Sequence, residues 1–179
     1  DQVQLANSYL DAYQITRDDK YSQTVTDIFS YLLRDMRDPG GGFYSAEDAD
    51  SENPYSPGEH GEGAFYLWTQ EELVEILGTE AANIFNYSYG IMENGNVEQD
   101  PAAEFTGRNI LHRKHDIDQV SQALSLNHDL VKQSIDSSRA KLLKVRDQRT
   151  RPHLDDKVIT AWNGIAIGAL ARGSMVLQD

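Results

Sequence analysis

The chain has 179 residues, with 29 acidic and 16 basic side chains and a formal net charge of −13. That length is enough for one sizeable hydrophobic core. So acidic a chain repels phosphate backbones, which argues against nucleic acid as a partner, and no run approaches the roughly 20 apolar residues of a membrane span. The lack of cysteine excludes disulfides, thiolate nucleophiles and cysteine-based metal centres. We expect a soluble globular protein, most simply a cytoplasmic one.

The two ends of the sequence suggest a piece of a longer protein. The sequence opens at Asp1, inside a helical pattern and without a basic-then-apolar signal segment, and it stops at Asp179 after an apolar helical run. We therefore interpret it as an internal fragment.

The first predicted elements are two helices. Apolar residues recur at three- and four-residue steps over 3–13 and over 21–36. The short polar link between them predicts an antiparallel helix pair. Pro39 and the glycines at 40–42 end the second helix, because neither residue continues a helix cheaply.

A small β-hairpin is predicted near 42–68. The short aromatic runs at 42–45 and 63–68 suit strands, and the polar, Pro- and Gly-containing segment 46–62 suits a long connecting loop. Loops of this length are uncommon and often functional.

The rest of the chain is predicted to be mostly helical. We predict five helices here. Two begin after Thr69 and after Asp116, and the others cover 81–85, Asn127 to Val145, and about Asp156 to the end of the sequence. Capping boxes at Thr69 with Glu72, and at Asp116 with Gln119, support two of these starts. The segment 90–108 is predicted to be loop and 109–111 a small strand or turn. Many small residues in the last helix predict close approach by a neighbouring helix.

The first candidate site is the acidic run Glu47-Asp48-Ala49-Asp50-Ser51-Glu52. Crowded carboxylates repel one another, which raises some pKa values and lets one group act as an acid while another stays a base; chemistry on sugars uses such pairs. Two alternatives stay open. Asp48, Asp50, Glu52 and Glu59 match a calcium-loop pattern, although Asn53 stands where that pattern has glycine. The run can also be a solvated loop without a site.

The second candidate site is Arg151-Pro152-His153-Leu154-Asp155-Asp156-Lys157, followed by Trp162 and Asn163. His153 is the candidate general base, because imidazole is the usual acid–base group near neutral pH. Asp155 or Asp156 would orient it or serve as the acid, although both also suit the N-cap of the last helix. Trp162 suits either a sugar-stacking face or the core, and Trp68 is a second candidate for stacking on a sugar ring.

Three motifs carry a resemblance to a known family. They are Gly41-Gly42-Phe43-Tyr44-Ser45-Ala46-Glu47-Asp48-Ala49-Asp50-Ser51, Glu62-Gly63-Ala64-Phe65-Tyr66-Leu67-Trp68-Thr69, and Arg151 to Lys157 with Thr160-Ala161-Trp162-Asn163-Gly164. In this order, over essentially the whole chain, the sequence closely resembles the spermatogenesis-associated protein 20 family of thioredoxin-domain-containing proteins. That family joins a thioredoxin-like domain to an α/α toroid similar to N-acylglucosamine 2-epimerases and six-hairpin glycosidases.

The resemblance implies a mainly α fold. Residues 1–179 would form the first half of an (α/α)6 toroid of helix hairpins, without the thioredoxin-like domain. Loops such as 42–68 would line the mouth of the toroid, and the other parts of the same polypeptide would be its partners.

The implied function is acid–base processing of a small-molecule carbohydrate, of the epimerase, isomerase or glycosidase kind, with no cofactor and no metal. The alternative is a non-catalytic scaffold that binds a sugar or a protein. The predicted catalytic residues are His153, Asp155, Asp156, Asp48 and Asp50. The predicted substrate-binding residues are Glu47, Trp68, Arg151, Lys157, Trp162 and Asn163.

Overall fold

A computed structural model describes residues 1–100 and 104–178, and over these residues the protein is mainly α, as predicted. The described helices are α1 (Gln2–Thr16), α2 (Asp19–Asp35), α3 (Gln70–Leu77), α4 (Thr79–Tyr89), α5 (Ile117–Leu124), α6 (His128–Arg146) and α7 (Thr160–Leu177). The described strands are β1 (Ala46–Glu47), β2 (Asp50–Glu52), β3 (His60–Glu62) and β4 (Leu154–Asp155), with a 3₁₀ turn at Ala64–Tyr66. The chain divides into a first unit, Asp1–Asp48 with Leu154–Asp179, and a second unit, Ala49–His153.

The first unit is built on the predicted helix pair. Arg17 closes α1 in the left-handed conformation with φ 58°, and the Asp18 side chain caps α2 by accepting from the Lys20 N–H. Ala6, Leu10 and Val25 are fully buried between the helices, and α7 packs against both α1 and α2. The prediction of an antiparallel helix hairpin is confirmed.

The small residues of α7 lie in two different environments, one tightly packed and one open. A Cβ added to Gly173 would lie 2.3 Å from Cε2 of Phe29, so the predicted close approach is confirmed there. Nothing lies within 4 Å of the corresponding positions on Gly164 and Gly168. The helix begins at Thr160 behind an Ile159 N-cap, so the N-cap interpretation of the two preceding aspartates is wrong.

The second unit packs four helices, α3 to α6, around its own core. Its most buried large side chains include Trp68, Leu73, Phe85 and Ile135. The capping box that begins α5 is complete, which confirms that prediction. At α3 the Thr69 hydroxyl accepts from the backbone N–H of Glu72, as predicted. The Glu72 side chain makes its hydrogen bonds elsewhere, so the second half of the predicted capping box is missing.

The β-hairpin lies inside the predicted range 42–68, but its strands are not the two segments predicted as strands. β2 and β3 pair antiparallel with Asp50 opposite Glu62, inside the segment predicted to be loop. The aromatic run predicted as the second strand instead forms the 3₁₀ turn, because Gly63 at φ 66° turns the chain and buries Phe65. The run predicted as the first strand makes one isolated bridge, between Phe43 and Arg37.

Two remaining features bear on the predictions. The segment 90–108 is irregular where it is described, and its residues 101–103 lie outside the described part. Among the described helices, none combines the length and apolar character needed to cross a membrane.

Candidate functional site

The first unit brings one part of each candidate motif together through β1 and β4. The strands pair antiparallel, with Ala46 opposite Asp155 and Glu47 opposite Leu154. Ser45 reinforces the pairing, because its N–H and its hydroxyl both donate to the Asp155 carbonyl, at 3.2 and 3.1 Å. Segments about 110 residues apart in sequence are therefore neighbours here. We call residues 44–47 and 154–157 the acidic strand pair.

Asp155 is held in its ionised form. The Lys157 ammonium lies 2.7 Å from its carboxylate, and this hydrogen bond, with a smaller contribution from the nearby Ser45 hydroxyl, lowers the pKa of Asp155 below its ordinary value. A carboxyl of lowered pKa is a poor proton donor near neutral pH. Asp155 is therefore better suited to accept hydrogen bonds or to provide a fixed negative charge than to act as a general acid.

Two tyrosines donate to further carboxylates around the strand pair. The Tyr31 hydroxyl donates to Glu47 at 2.8 Å, and the Tyr44 hydroxyl donates to Asp38 at 2.6 Å. That bond to Asp38 is the main reason why the pKa of Tyr44 is raised, and the negative charge of Asp156 adds a smaller contribution. The Tyr44 hydroxyl thus stays protonated and donates to Asp38.

Asn163 fastens this region to α7. Its Oδ1 accepts from the Phe43 N–H at 2.7 Å, and its Nδ2 donates to the Phe43 carbonyl at 3.0 Å and to the Ile159 carbonyl at 3.1 Å. Gly42, with φ 91°, lets the chain approach closely, since a Cβ there would lie 3.1 Å from Cγ1 of Val158. Both N–H donors of the Asn163 amide are therefore used by backbone carbonyls, and the substrate-binding role of this residue stays a prediction.

The two tryptophans differ in exposure. Trp162, the residue before Asn163, is 54% exposed and presents an aromatic face to solvent. Trp68 is 1% exposed and lies in the core of the second unit. The stacking role predicted for Trp68 is therefore wrong, whereas Trp162 retains a face for a ring.

In the second unit, Arg149 is surrounded by backbone carbonyls, a carboxylate and aromatic rings, in a set that we call the Arg149 network. The guanidinium donates to the carbonyls of Phe65 and Leu67 at 2.9 and 2.7 Å and to the Glu72 carboxylate at 2.9 Å. It also lies 4.1 Å from the centre of the Trp68 ring. The Tyr55 hydroxyl donates to the same glutamate at 2.5 Å. Burial, with that bond, raises the pKa of Tyr55, so the hydroxyl remains a donor.

The other predicted site residues of the second unit lie at its surface. His153 is exposed at the end of this unit, and Asp50 is exposed on β2. Arg151 lies 3.5 Å from the Asp147 carboxylate and 5.5 Å from the centre of the Phe65 ring. The hydroxyl of Thr150 donates to Glu52, and this bond lowers the pKa of that carboxyl. The pKa of this member of the acidic run is thus lowered, and the prediction that some other members have raised pKa values stays a prediction.

Comparison with known proteins identifies the family. No family model matches the chain. It is 36% identical to human spermatogenesis-associated protein 20, over all of this chain and 24% of the human protein. Mouse and rat proteins of the same name are each 33% identical, over 96% and 99% of this chain and 23% and 24% of their own length. The chain belongs to the spermatogenesis-associated protein 20 family. It spans about a quarter of the length of the curated relatives it matches.

In this family member, sequence reasoning missed four residues of the acidic strand pair and its surroundings. They are Tyr31, Asp38, Tyr44 and Ser45. The last two lie inside a motif that carries the family resemblance, which is a signal that could have found them. Tyr31 sits on α2 among apolar residues at helical spacing, where the pattern indicates core and nothing more.

A cavity of about 350 Å³ in the first unit is separate from the acidic strand pair. Its lining residues are Gln14, Arg17, Arg172, Met175, Val176 and Gln178. A helix rises about 1.5 Å per residue, so Thr160 and Met175 are separated by about 22 Å along α7. The acidic strand pair is instead an open surface beside the start of that helix.

The calcium-loop alternative finds no support in the geometry. Asp50 and Glu52 lie on β2 as part of a regular hairpin, and Glu59 stands in the turn before β3, where its carbonyl accepts from the Asn53 N–H. Within residues 1–100 and 104–178, no three metal-ligating side chains converge on one point.

Proposed function

We propose that the protein containing this chain binds and processes a carbohydrate or similar polyol at the acidic strand pair. The observation that carries the proposal is the pairing of β1 with β4, which joins the acidic segment at Glu47 to the one at Asp155 and Asp156. Carboxylates accept hydrogen bonds from sugar hydroxyls, and hydroxyl groups such as that of Ser45 complement them. The exposed face of Trp162 lies on the first turn of α7, in the same unit.

The proposed chemistry divides roles among the carboxylates. Asp155, kept ionised by Lys157, would accept from a substrate hydroxyl and stabilise a developing positive charge. Asp156 is exposed and is the candidate for proton transfer, with Tyr44 near it as a protonated donor. This chemistry needs neither a metal nor a nucleotide. The acid–base role of His153 stays a prediction and is tested by a variant of its own.

We also propose the toroid as the setting of this chemistry. The helix pair α1 and α2, with α7 packed against both, is the kind of arrangement from which an α/α toroid is assembled. The resemblance described above supports a thioredoxin-like domain elsewhere in the whole protein. That domain and the rest of the toroid would be the partners of this segment.

A second candidate function is a non-catalytic scaffold that binds a sugar or a protein. The observation in its favour is that Asp155 and Glu47 already hold partners, Lys157 and Tyr31. A general acid needs a carboxyl that carries its proton near neutral pH, and the pKa of Asp155 moves in the opposite direction. A binding site has no such requirement.

A kinetic comparison separates these functions. The full-length protein would be assayed against hexoses, N-acylhexosamines and short glycosides, together with Asp155→Asn, Asp156→Asn and His153→Ala. Loss of an acid–base group lowers the rate by about 10²–10⁴-fold, so we expect kcat/KM to fall at least 100-fold in Asp156→Asn. Glu75→Gln, an exposed change on α3, is the matched control and should leave kcat/KM unchanged.

Two outcomes would count against catalysis. Activity that stays within about threefold in all three variants would exclude acid–base roles for these residues. Saturable sugar binding without turnover in the unmodified protein would favour the scaffold.

A further inference from the structure

Asn163 makes a long-range contact in the first unit through both ends of its amide. It lies 120 residues from Phe43, yet its amide bonds both the N–H and the carbonyl of that residue. The third bond, to the Ile159 carbonyl, fixes the side chain against the start of α7. An amide so bound to two separate backbone segments determines where one lies relative to the other.

The strand pair by itself is too short to fix that placement. β1 and β4 contain two residues each, and so small a ladder offers few hydrogen bonds to resist slippage. A slip by one residue would move Glu47 to the opposite face of the strand. A further constraint on the register is therefore needed, and the bonds to Phe43 lie only three residues before β1.

The space around the contact allows little variation. Gly42 adopts a positive φ of 91°, and a Cβ on it would lie 3.1 Å from Cγ1 of Val158, a tight contact, and 3.4 Å from Oδ1 of Asn163. The glycine and the amide thus fit one another, which makes the approach of residues 42–43 to α7 close and specific.

We propose that Asn163 is a positioning residue, whose bonds to Phe43 set the register of β1 against β4 and so hold Ser45 beside Asp155 and keep Glu47 opposite Leu154. Asn163 does not itself contact the ligand. The consequence for ligand handling rests on the proposed function, whereas the positioning does not.

The test uses the full-length protein with two substitutions at one position. Asn163→Ala removes all three bonds, and Asn163→Asp retains an acceptor for the Phe43 N–H but lacks the two donated bonds. We expect hydrogen exchange in residues 43–47 and 154–157 to accelerate at least tenfold in Asn163→Ala, less in Asn163→Asp, and not at all in α4. Asn83→Ala, an exposed change on α4, is the matched control.

A second readout distinguishes positioning from mere stabilisation. The Ser45 hydroxyl on β1's side contributes to the lowered pKa of Asp155, so displacement of residues 44–47 should raise that pKa while Lys157 is unchanged. NMR titration of the Asp155 carboxyl measures this directly. Unchanged exchange in 43–47, or faster exchange with an unchanged Asp155 titration, would overturn the proposal.

The ligand assay is read separately from these two measurements. If the unmodified protein processes a sugar, Asn163→Ala should lower kcat/KM at least tenfold, with Asn163→Asp in between; unchanged activity would overturn the positioning role. If the unmodified protein neither binds nor processes any sugar, the proposed function fails, and the exchange and titration results still decide the role of Asn163.

Discussion

The acidic strand pair and the Arg149 network use the same side-chain chemistry in different surroundings. In each, a tyrosine hydroxyl donates to a carboxylate, from Tyr44 to Asp38 at 2.6 Å and from Tyr55 to Glu72 at 2.5 Å. The side chain of Arg149 is 8% exposed, whereas that of Lys157 is 70% exposed. Buried charges must be fully partnered to be tolerated, so the network is structural. Exposed charges can exchange partners with a ligand.

The largest expected effect is on the buried Arg149 network. Arg149→Met should lower the free energy of opening of residues 64–73 by about 3 kcal/mol, because removal of one partner from a largely buried ion pair leaves the other uncompensated. Native-state hydrogen exchange of the full-length protein measures it. Tyr55→Phe, which keeps the ion pair, should cost about 1.5 kcal/mol.

The matched control for that experiment is Arg113→Met. Residue 113 is an exposed arginine of the same unit, and its replacement should leave the exchange of residues 64–73 unchanged. A cost below about 1 kcal/mol for Arg149→Met would mean that the network does not hold the unit together, and the contrast with the acidic strand pair would fail.

A second prediction compares two glycines of α7. Gly173→Ala should destabilise the first unit by about 1–3 kcal/mol, because the new methyl group overlaps Phe29. Gly164→Ala meets open space and should stabilise the helix by up to about 1 kcal/mol. Thermal unfolding and local exchange of α7 measure both changes. Equal effects of the same sign would show that α7 does not approach α2 as described.

The smallest effect on stability is expected at the exposed charges. The folded pKa of Asp155 lies below its ordinary value, so its contribution to stability is present above the unfolded pKa and is lost as the pH falls through the folded pKa. Lys157→Met should raise the pKa of Asp155 towards the ordinary value, and Ser45→Ala should raise it less. NMR titration checks the order. Little change in the unfolding midpoint is expected near neutral pH, because exposed pairs contribute little.

The helices could be predicted because their signals are local. Periodic apolar residues and the caps at Asp116 and Asn127 lie within a few residues of the helices that they determine. The aromatic run at 63–68 misled the prediction for a related reason. Its composition suits a strand, but the conformation of Gly63 and the burial of Phe65 depend on the rest of the second unit.

The network and the function of Asn163 could not be predicted because they depend on distant backbone. Arg149 lies in a polar segment after α6 and donates to carbonyls more than 80 residues away. The motif around Asn163 marked the residue as important. Whether its amide faces a ligand or the Phe43 backbone is determined by the tertiary fold, to which a single sequence gives no direct access.

The most direct test of the central claim is a hydrogen-exchange footprint of the full-length protein with and without saturating carbohydrate. The substrate would be the compound that the kinetic screen selects, or the tightest-binding sugar if none is turned over. We expect slower exchange in residues 43–47 and 154–163, with residues 52–72 around the Arg149 network unchanged. Protection confined to other segments, or no protection by any sugar, would contradict it.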